Sequence, residues 1–311
     1  MSSAPPTPSP LFLVSAPRSG AETLRLMLAQ HPAIAMAPEF DFLVDAISPE
    51  GRFMKREAFL RSVEFNIRFK RLGLAVPQSA SFTGIAQAML EQISATKPGA
   101  PIVGAVLQRH FDRILWLWPD ARFIHLVRDG RDVAQAGVTA RRAGNLWHGI
   151  ADWVDAEILW DRMSHKLPAD RQMTLRYEVL ASDTEYELRR ICNYLGLTFD
   201  PAMLQTSQAL QREPMGRWRK ADIAELSAAE HRAARWLLQS GYFLSATVRP
   251  PAILRRIALN IQNQMTLANH RREMLGTGSW LKSAYTARFG RKKAKARLKR
   301  EQAEMMTRRE D

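Results

Sequence analysis

Short apolar runs alternate with stretches whose apolar residues recur every three or four positions. The runs at Leu11–Val14, Ile34–Met36, Ile102–Leu107, Arg122–Val127 and Met173–Arg176 are predicted as strands. Between them Ala21–Ala29 carries Leu24, Met27 and Leu28 at helical spacing, and Asp132–Arg142 predicts a further helix. Residues 143–164, with Trp147, Trp153 and Trp160, predict one long helix facing the core, and 53–92 is mostly helical with a break from Pro77 to Thr83. Asp183 and Gly196 have the chemistry of a helix start and stop. Alternation of this kind predicts an α/β fold of P-loop type, a mostly parallel sheet flanked by helices. Pro250-Pro251 reads as a hinge into a helical, basic tail containing Gly276-Thr277-Gly278. The expected division is a flexible arm at 1–9, an α/β domain at 10–249 and a C-terminal extension at 250–311.

Composition narrows the class. Of 311 residues 46% are apolar and 24% charged, which excludes a disordered chain. No apolar run approaches the roughly 20 residues that cross a bilayer. The first ten residues hold no Lys or Arg, so no charged leader is expected, and the apolar run from Leu11 is too short for one. Cys192 is the only cysteine, which excludes an intrachain disulfide; set among Leu188, Ile191 and Leu195 it reads as a buried structural thiol. A cytoplasmic protein is expected. The net charge of +14 is uneven, because residues 282–311 hold eleven Lys or Arg against four Asp or Glu. The run Arg291–Arg300 suits an anionic surface, so peripheral membrane contact through 282–311 is an expectation. Nucleic acid is disfavoured, since neither zinc-finger spacing nor an RNA-recognition signature accompanies the basic run.

Chemistry concentrates where Leu11–Val14 runs into Ser15-Ala16-Pro17-Arg18-Ser19-Gly20 and a helix follows. Main-chain N–H groups of a tight turn and the positive end of a helix converge there, and Arg18 adds a guanidinium fork suited to phosphate or sulfate oxygens. The Walker A pattern fails on this turn: Ser15 stands at the first glycine position, Ala21 at the lysine and Glu22 at the magnesium-binding hydroxyl. A kinase or ATPase would lack both its phosphate lysine and its metal anchor.

A second segment, Pro119-Asp-Ala-Arg-Phe-Ile-His-Leu-Val-Arg-Asp-Gly-Arg-Asp-Val-Ala134, changes the picture. Together with Pro17–Gly20, His31-Pro32, Glu39, Leu175–Leu180 and Gly216-Arg-Trp-Arg-Lys220, it resembles the sulfotransferases that use 3'-phosphoadenosine 5'-phosphosulfate (PAPS), notably the bacterial branch and the tyrosylprotein and carbohydrate enzymes. The resemblance implies a PAPS donor, no metal, and an acceptor hydroxyl on a carbohydrate, a tyrosine or a small metabolite; the excess charge favours an acidic acceptor. It also implies that Pro17, Arg18, Ser19, Gly20, Ala21 and Glu22 surround the phosphosulfate. Arg128 would grip the 3'-phosphate, Tyr177 would line the nucleoside pocket, and Gly216, Arg217 and Trp218 would close over it. For Trp218 a plain packing role stays open. Glu39 would be the general base, unless it only caps the helix starting near Phe40. The acceptor surface would lie within 53–92.

Three positions depart from the family pattern. Ala21 and Glu22 replace two threonines, and Glu22 would repel phosphosulfate unless turned away or protonated. Ala136 stands where a serine follows the 3'-phosphate arginine, and the lysine near the leaving bridge is missing, with Arg109 as its stand-in. These departures define the alternative: a non-catalytic protein of the same fold that binds nucleotide or an anionic polymer. Oligomeric state is left open by the sequence.

Overall fold

The computed structural model describes residues 9–276 apart from 65, 80, 209, 211–214, 246 and 247, together with 278 and 286. The expected arm up to residue 8 and the basic run Arg291–Arg300 lie outside the described residues.

Five strands, β1 (Leu11–Val14), β2 (Ile34–Glu39), β3 (Ile102–Leu107), β4 (Arg122–Val127) and β5 (Gln172–Arg176), pair in parallel in the order β2-β3-β1-β4-β5. Side-chain alternation splits β1 between two cores. Phe12 and Val14 join Ala105, Leu107 and Phe123 on one face, while Leu11 and Leu13 join Val106, Ile124 and Leu175 on the other. Because β1 is central, with β3 on one side and β4 on the other, the chain reverses its winding there, and the carboxyl ends of these strands border a crevice.

The helices are α1 (Ala21–Gln30), α2 (Asp41–Val44), α3 (Arg56–Glu64), α4 (Ile67–Arg71), α5 (Phe82–Ala95), α6 (Gly130–Thr139), α7 (Leu146–Gly149), α8 (Ala151–Ser164), α9 (Tyr177–Ser182), α10 (Thr184–Leu195), α11 (Ile223–Gln239) and α12 (Ile253–Leu275). Asp183 and Gly196 do bracket α10: Asp183 accepts the Tyr186 N–H at 3.3 Å, and Gly196 ends the helix at φ 74°. Cys192 is buried, its Sγ 3.7 Å from Met203 Sδ, and burial pushes the thiol pKa up.

Two expected helices differ. The stretch 143–164 is divided at Ile150 into α7 and α8; Trp153 and Trp160 face the core, but Trp147 is half-exposed beneath the Arg232 guanidinium. The helix after β4 begins at Gly130 because Asp129 caps it, accepting from Arg131 N at 2.9 Å, and ends at Thr139, just before Arg141 turns to φ 54°. Helix α12 docks on the α6–α7 connection: Gly144 N donates to Asn263 Oδ1 at 2.7 Å and Asn145 Nδ2 to the Leu259 carbonyl at 2.8 Å. Among the described residues no helix is long and apolar enough to cross a membrane.

Candidate active site

β1 delivers the chain to the carboxyl edge of the sheet, where Arg18 (φ 71°) and Gly20 (φ 90°) both take the left-handed region. Such a turn curls main-chain N–H groups towards one point, and α1 begins immediately behind it. Gly20 is required twice over, since a Cβ there would also stand 2.4 Å from the Tyr177 ring. Ser19 Oγ is enclosed with no hydrogen-bond partner among the described residues. An enclosed hydroxyl beside a nest of N–H groups fits an oxyanion, to which it would donate.

The Arg128 turn follows β4, the neighbour of β1. Its guanidinium is buried 4.4 Å from the Tyr177 ring centroid, and Nη1 donates to the Arg18 carbonyl at 3.3 Å. The two arginine turns therefore abut. Tyr177 lies fully covered between Gly20 and Arg128, with its hydroxyl donating to the Leu210 carbonyl at 3.3 Å; it props the loop from beneath.

The remaining donor-side residues fall into two groups. Gly216 N donates to Asp132 Oδ2 at 2.7 Å, which seats Gly216–Lys220 on the first turn of α6. Trp218 packs there under the Arg131 guanidinium at 3.7 Å, Arg217 is exposed, and Ala136 sits half-buried further along α6. Arg131 is itself fixed by Asp129 (Nε to Oδ1 2.9 Å, Nη2 to Oδ2 2.8 Å) and by Glu230 (2.6 Å). Ala21 is buried, whereas Glu22 is turned outward on Arg25, which donates to it from Nε at 2.8 Å and Nη2 at 2.6 Å. The expected clash of Glu22 with an anion is thus avoided by an ion pair one turn along α1.

Across the crevice stands Glu39. β2 carries a bulge between Ala37 and Glu39, where the edge-strand proline, Pro38, needs no ladder donor, and this extra residue sets the face on which Glu39 emerges. Arg68 of α4 holds Glu39 Oε2 at 2.8 Å, and Arg109 Nη1 lies 3.8 Å from Oε1. Glu39 caps nothing; the residue before α2 is Phe40, without a side-chain cap. Arg109, expected to face the leaving bridge, is instead engaged by carboxylates: Nε and Nη2 donate to Asp45 at 2.9 and 2.5 Å, and Nη1 to Asp41 Oδ2 at 3.2 Å. The bond with Asp45 raises the Arg109 pKa above its ordinary value. Its charge is spent on this wall.

A cleft of about 510 Å³ runs from Pro17 past Glu39 and Arg109 to α8, which contributes Asp152, Asp155, Ile158, Leu159 and Arg162. Burial pushes the Asp152 pKa up, followed by the charge of Asp155. Among the described residues of 53–92 only Arg68 comes to this cleft, and α8 supplies most of the far wall. Sequence reasoning missed Asp41, Asp45, Arg68 and the α8 residues. For Asp41 a signal existed, an acid among Phe40, Phe42 and Leu43; Arg68 and Asp45 carried none.

A parallel sheet of this order, with a left-handed turn after β1 and a second arginine turn after β4, defines a P-loop-type α/β fold. The Sulfotransferase family profile matches residues 10–201, and the chain belongs to that family. It is similar to a protein-tyrosine sulfotransferase of Drosophila melanogaster, 23% identical over 211 residues, which cover 65% of this chain and 41% of that protein. Among solved structures it is similar in fold to a sulfotransferase domain from the curacin biosynthetic pathway (TM-score 0.55, 20% identity, 76% of this chain and 99% of that one). It is likewise similar to a sulfotransferase domain from the Synechococcus olefin synthase (TM-score 0.51, 20% identity, 83% and 96%).

Proposed function

We propose that this chain moves a sulfuryl group from PAPS to an acceptor hydroxyl. The observation that carries the reading is the contact between the two arginine turns, Arg128 Nη1 to the Arg18 carbonyl at 3.3 Å, beside a cleft that leads from Pro17 to a carboxylate. Arg18, Ser19 and Gly20 would receive the phosphosulfate and Arg128 the 3'-phosphate, a dianion suited to a guanidinium. The Gly216–Lys220 segment, with Arg217 and Trp218, would lie over the nucleoside. Glu39 would take the acceptor proton as the acceptor oxygen bonds to sulfur and the bridging oxygen leaves with its electron pair on the phosphate. Positioning and electrostatics carry such a transfer. Arg109 supports Glu39 in this scheme, since its own charge is committed to Asp45 and Asp41. The curated relative is named for tyrosine, and a phenolic or other hydroxyl is the acceptor class we assign.

The test is calorimetry with 3'-phosphoadenosine 5'-phosphate against ADP, followed by transfer of labelled sulfate. Preference for the 3'-phosphorylated nucleotide is expected; equal or absent affinity overturns the assignment. Nucleotide binding with no transfer to any hydroxyl would favour the non-catalytic alternative.

We further place the protein in the cytoplasm, at an anionic membrane surface. One side of α12 exposes Leu254, Ile257, Ile261 and Met265 beside Arg255 and Arg256, and residues 282–311 add eleven basic residues against four acidic ones. An apolar stripe with basic flanks lies in the headgroup region of anionic lipid. Sedimentation with phosphatidylserine vesicles but not with phosphatidylcholine vesicles is expected, and equal recovery with both would reject the placement.

A further inference from the structure

We infer that Asp41 is a positioning residue for the transfer step: a buried carboxylic acid that shares its proton with Glu39 and so holds that base towards the cleft. The inference rests on the reading of Glu39 as base.

Three observations converge. Asp41 opens α2 with a fully covered side chain. Its Oδ1 accepts the Gln108 N–H at 2.8 Å and its Oδ2 accepts from Arg109 Nη1 at 3.2 Å. Glu39 is satisfied on one side only: Oε2 meets Arg68 at 2.8 Å, but Oε1 is enclosed with no hydrogen-bond partner among the described residues, the Arg109 nitrogen at 3.8 Å being out of range. A buried carboxylate oxygen without a donor is costly. A proton on the adjacent Asp41 supplies the missing donor.

Charge balance leads to the same state. Asp41 itself meets Glu39 from β2 and, after β3, the Gln108 N–H and Arg109; Arg68 of α4 reaches it through Glu39, and Asp45 after α2 through Arg109, beside which His110 also lies. Burial lowers the His110 pKa and favours the neutral imidazole. Within this ion-paired cluster two carboxylates meet two guanidiniums when Asp41 is protonated; with Asp41 ionised, three carboxylates share the same two guanidiniums. Burial first, and then the hydrogen bond with Glu39, push the Asp41 pKa up to about 8. One proton is then held between the two carboxyl groups.

The consequence for the reaction is geometric. Arg68 on Oε2 and the Asp41 hydroxyl on Oε1 fix the Glu39 carboxylate plane and leave its remaining lone pairs for the acceptor proton. That proton passes to Glu39 while the acceptor oxygen bonds to sulfur and the nucleotide phosphate departs with the electron pair. The Asp41 proton stays in place throughout.

The test uses the full chain. Carboxyl-carbon NMR of the ligand-free protein should show Asp41 titrating near pH 8, and Glu39→Gln should lower that midpoint. In the transfer assay, native kcat should fall roughly tenfold per pH unit above about 8, while Asp41→Asn, whose amide donates at every pH, loses that alkaline fall. An Asp41 midpoint in the ordinary carboxylate range near 4 overturns proton sharing alone, as does an Asp41→Asn pH profile that superimposes on the native one. A Glu39→Gln variant that transfers at the native rate overturns both this inference and the reading of Glu39 as base. Should Asp41→Asn fail to fold, the native titration decides.

Discussion

The two walls of the crevice are built from different materials. On the proposed donor side they are mainly features of the backbone, a left-handed turn at Arg18 and Gly20 and the first turn of α1, joined by one side chain, Arg128, that ties one loop to the carbonyl of the other. On the proposed acceptor side they are side chains that neutralise one another, Glu39 with Arg68 and Asp41 and Asp45 with Arg109, drawn from β2, α2, α4 and the end of β3. A cradle of N–H groups is dictated by the backbone and tolerates little change in what it holds. A wall of ion pairs can be rewired by substitution without disturbing the sheet, which is where acceptor choice belongs.

If the walls are separable, Glu39→Gln should injure only one. Removing a general base is expected to lower kcat by roughly 10²–10⁴-fold, while calorimetry shows unchanged affinity for 3'-phosphoadenosine 5'-phosphate. A parallel loss of nucleotide affinity would mean that the two walls act as one unit. The reciprocal experiment is Gly20→Ala. The left-handed φ costs about 1–2 kcal/mol for a residue with a Cβ, and a methyl group 2.4 Å from the Tyr177 ring adds overpacking of about 1–3 kcal/mol. Both unfolding stability and nucleotide affinity should fall. Retention of both would show that the donor wall yields more easily than its backbone construction implies.

The same contrast explains what could be read from the chain in advance. Strands β1, β3 and β4 stand at their expected bounds because continuous apolar runs between helical periods mark a doubly covered parallel sheet. The Arg18 turn and the Arg128 turn are contiguous motifs, so both could be picked out from the chain, and the structure brings them into contact. Ile150 was not: the division of 143–164 depends on how α7 meets α6 and α11, and Trp147 leaves the core with it. On the wall around Glu39 the pattern singled out Glu39 and Arg109 alone. Arg68 and Asp45 reach it through contacts across 29 and 64 positions, which no local pattern encodes. Arg109 was noticed for its charge, yet two carboxylates unseen in the pattern decide what that charge does.

A smaller effect sharpens the account of the acceptor wall without any assay of transfer. The native chain keeps on Asp41 a proton that the unfolded chain gives up near the ordinary aspartate value of 3.8. Between about pH 4 and pH 8 the native state therefore binds more protons than the unfolded one, and alkali pulls the equilibrium towards unfolding. Chemical denaturation should show native stability declining across that window, and Asp41→Asn should flatten the decline. A variant that keeps the native slope would remove Asp41 as its source.

The smallest expected change concerns Glu22, the residue that most threatened the donor wall on sequence grounds. Paired with Arg25 and 58% exposed, it stands in solvent, through which it would act on an anion held by the turn. Glu22→Gln gives up an i,i+3 ion pair worth about 0.2–0.5 kcal/mol and a favourable charge in the first turn of α1 worth about 0.3–1 kcal/mol. The expected result is a loss of stability below about 1.5 kcal/mol, with nucleotide affinity rising less than about threefold and the rise vanishing at high salt. A tenfold or larger gain that survives salt would place the carboxylate against the ligand, and the donor wall would then hold, like the acceptor wall, a charge that its partners only partly quench.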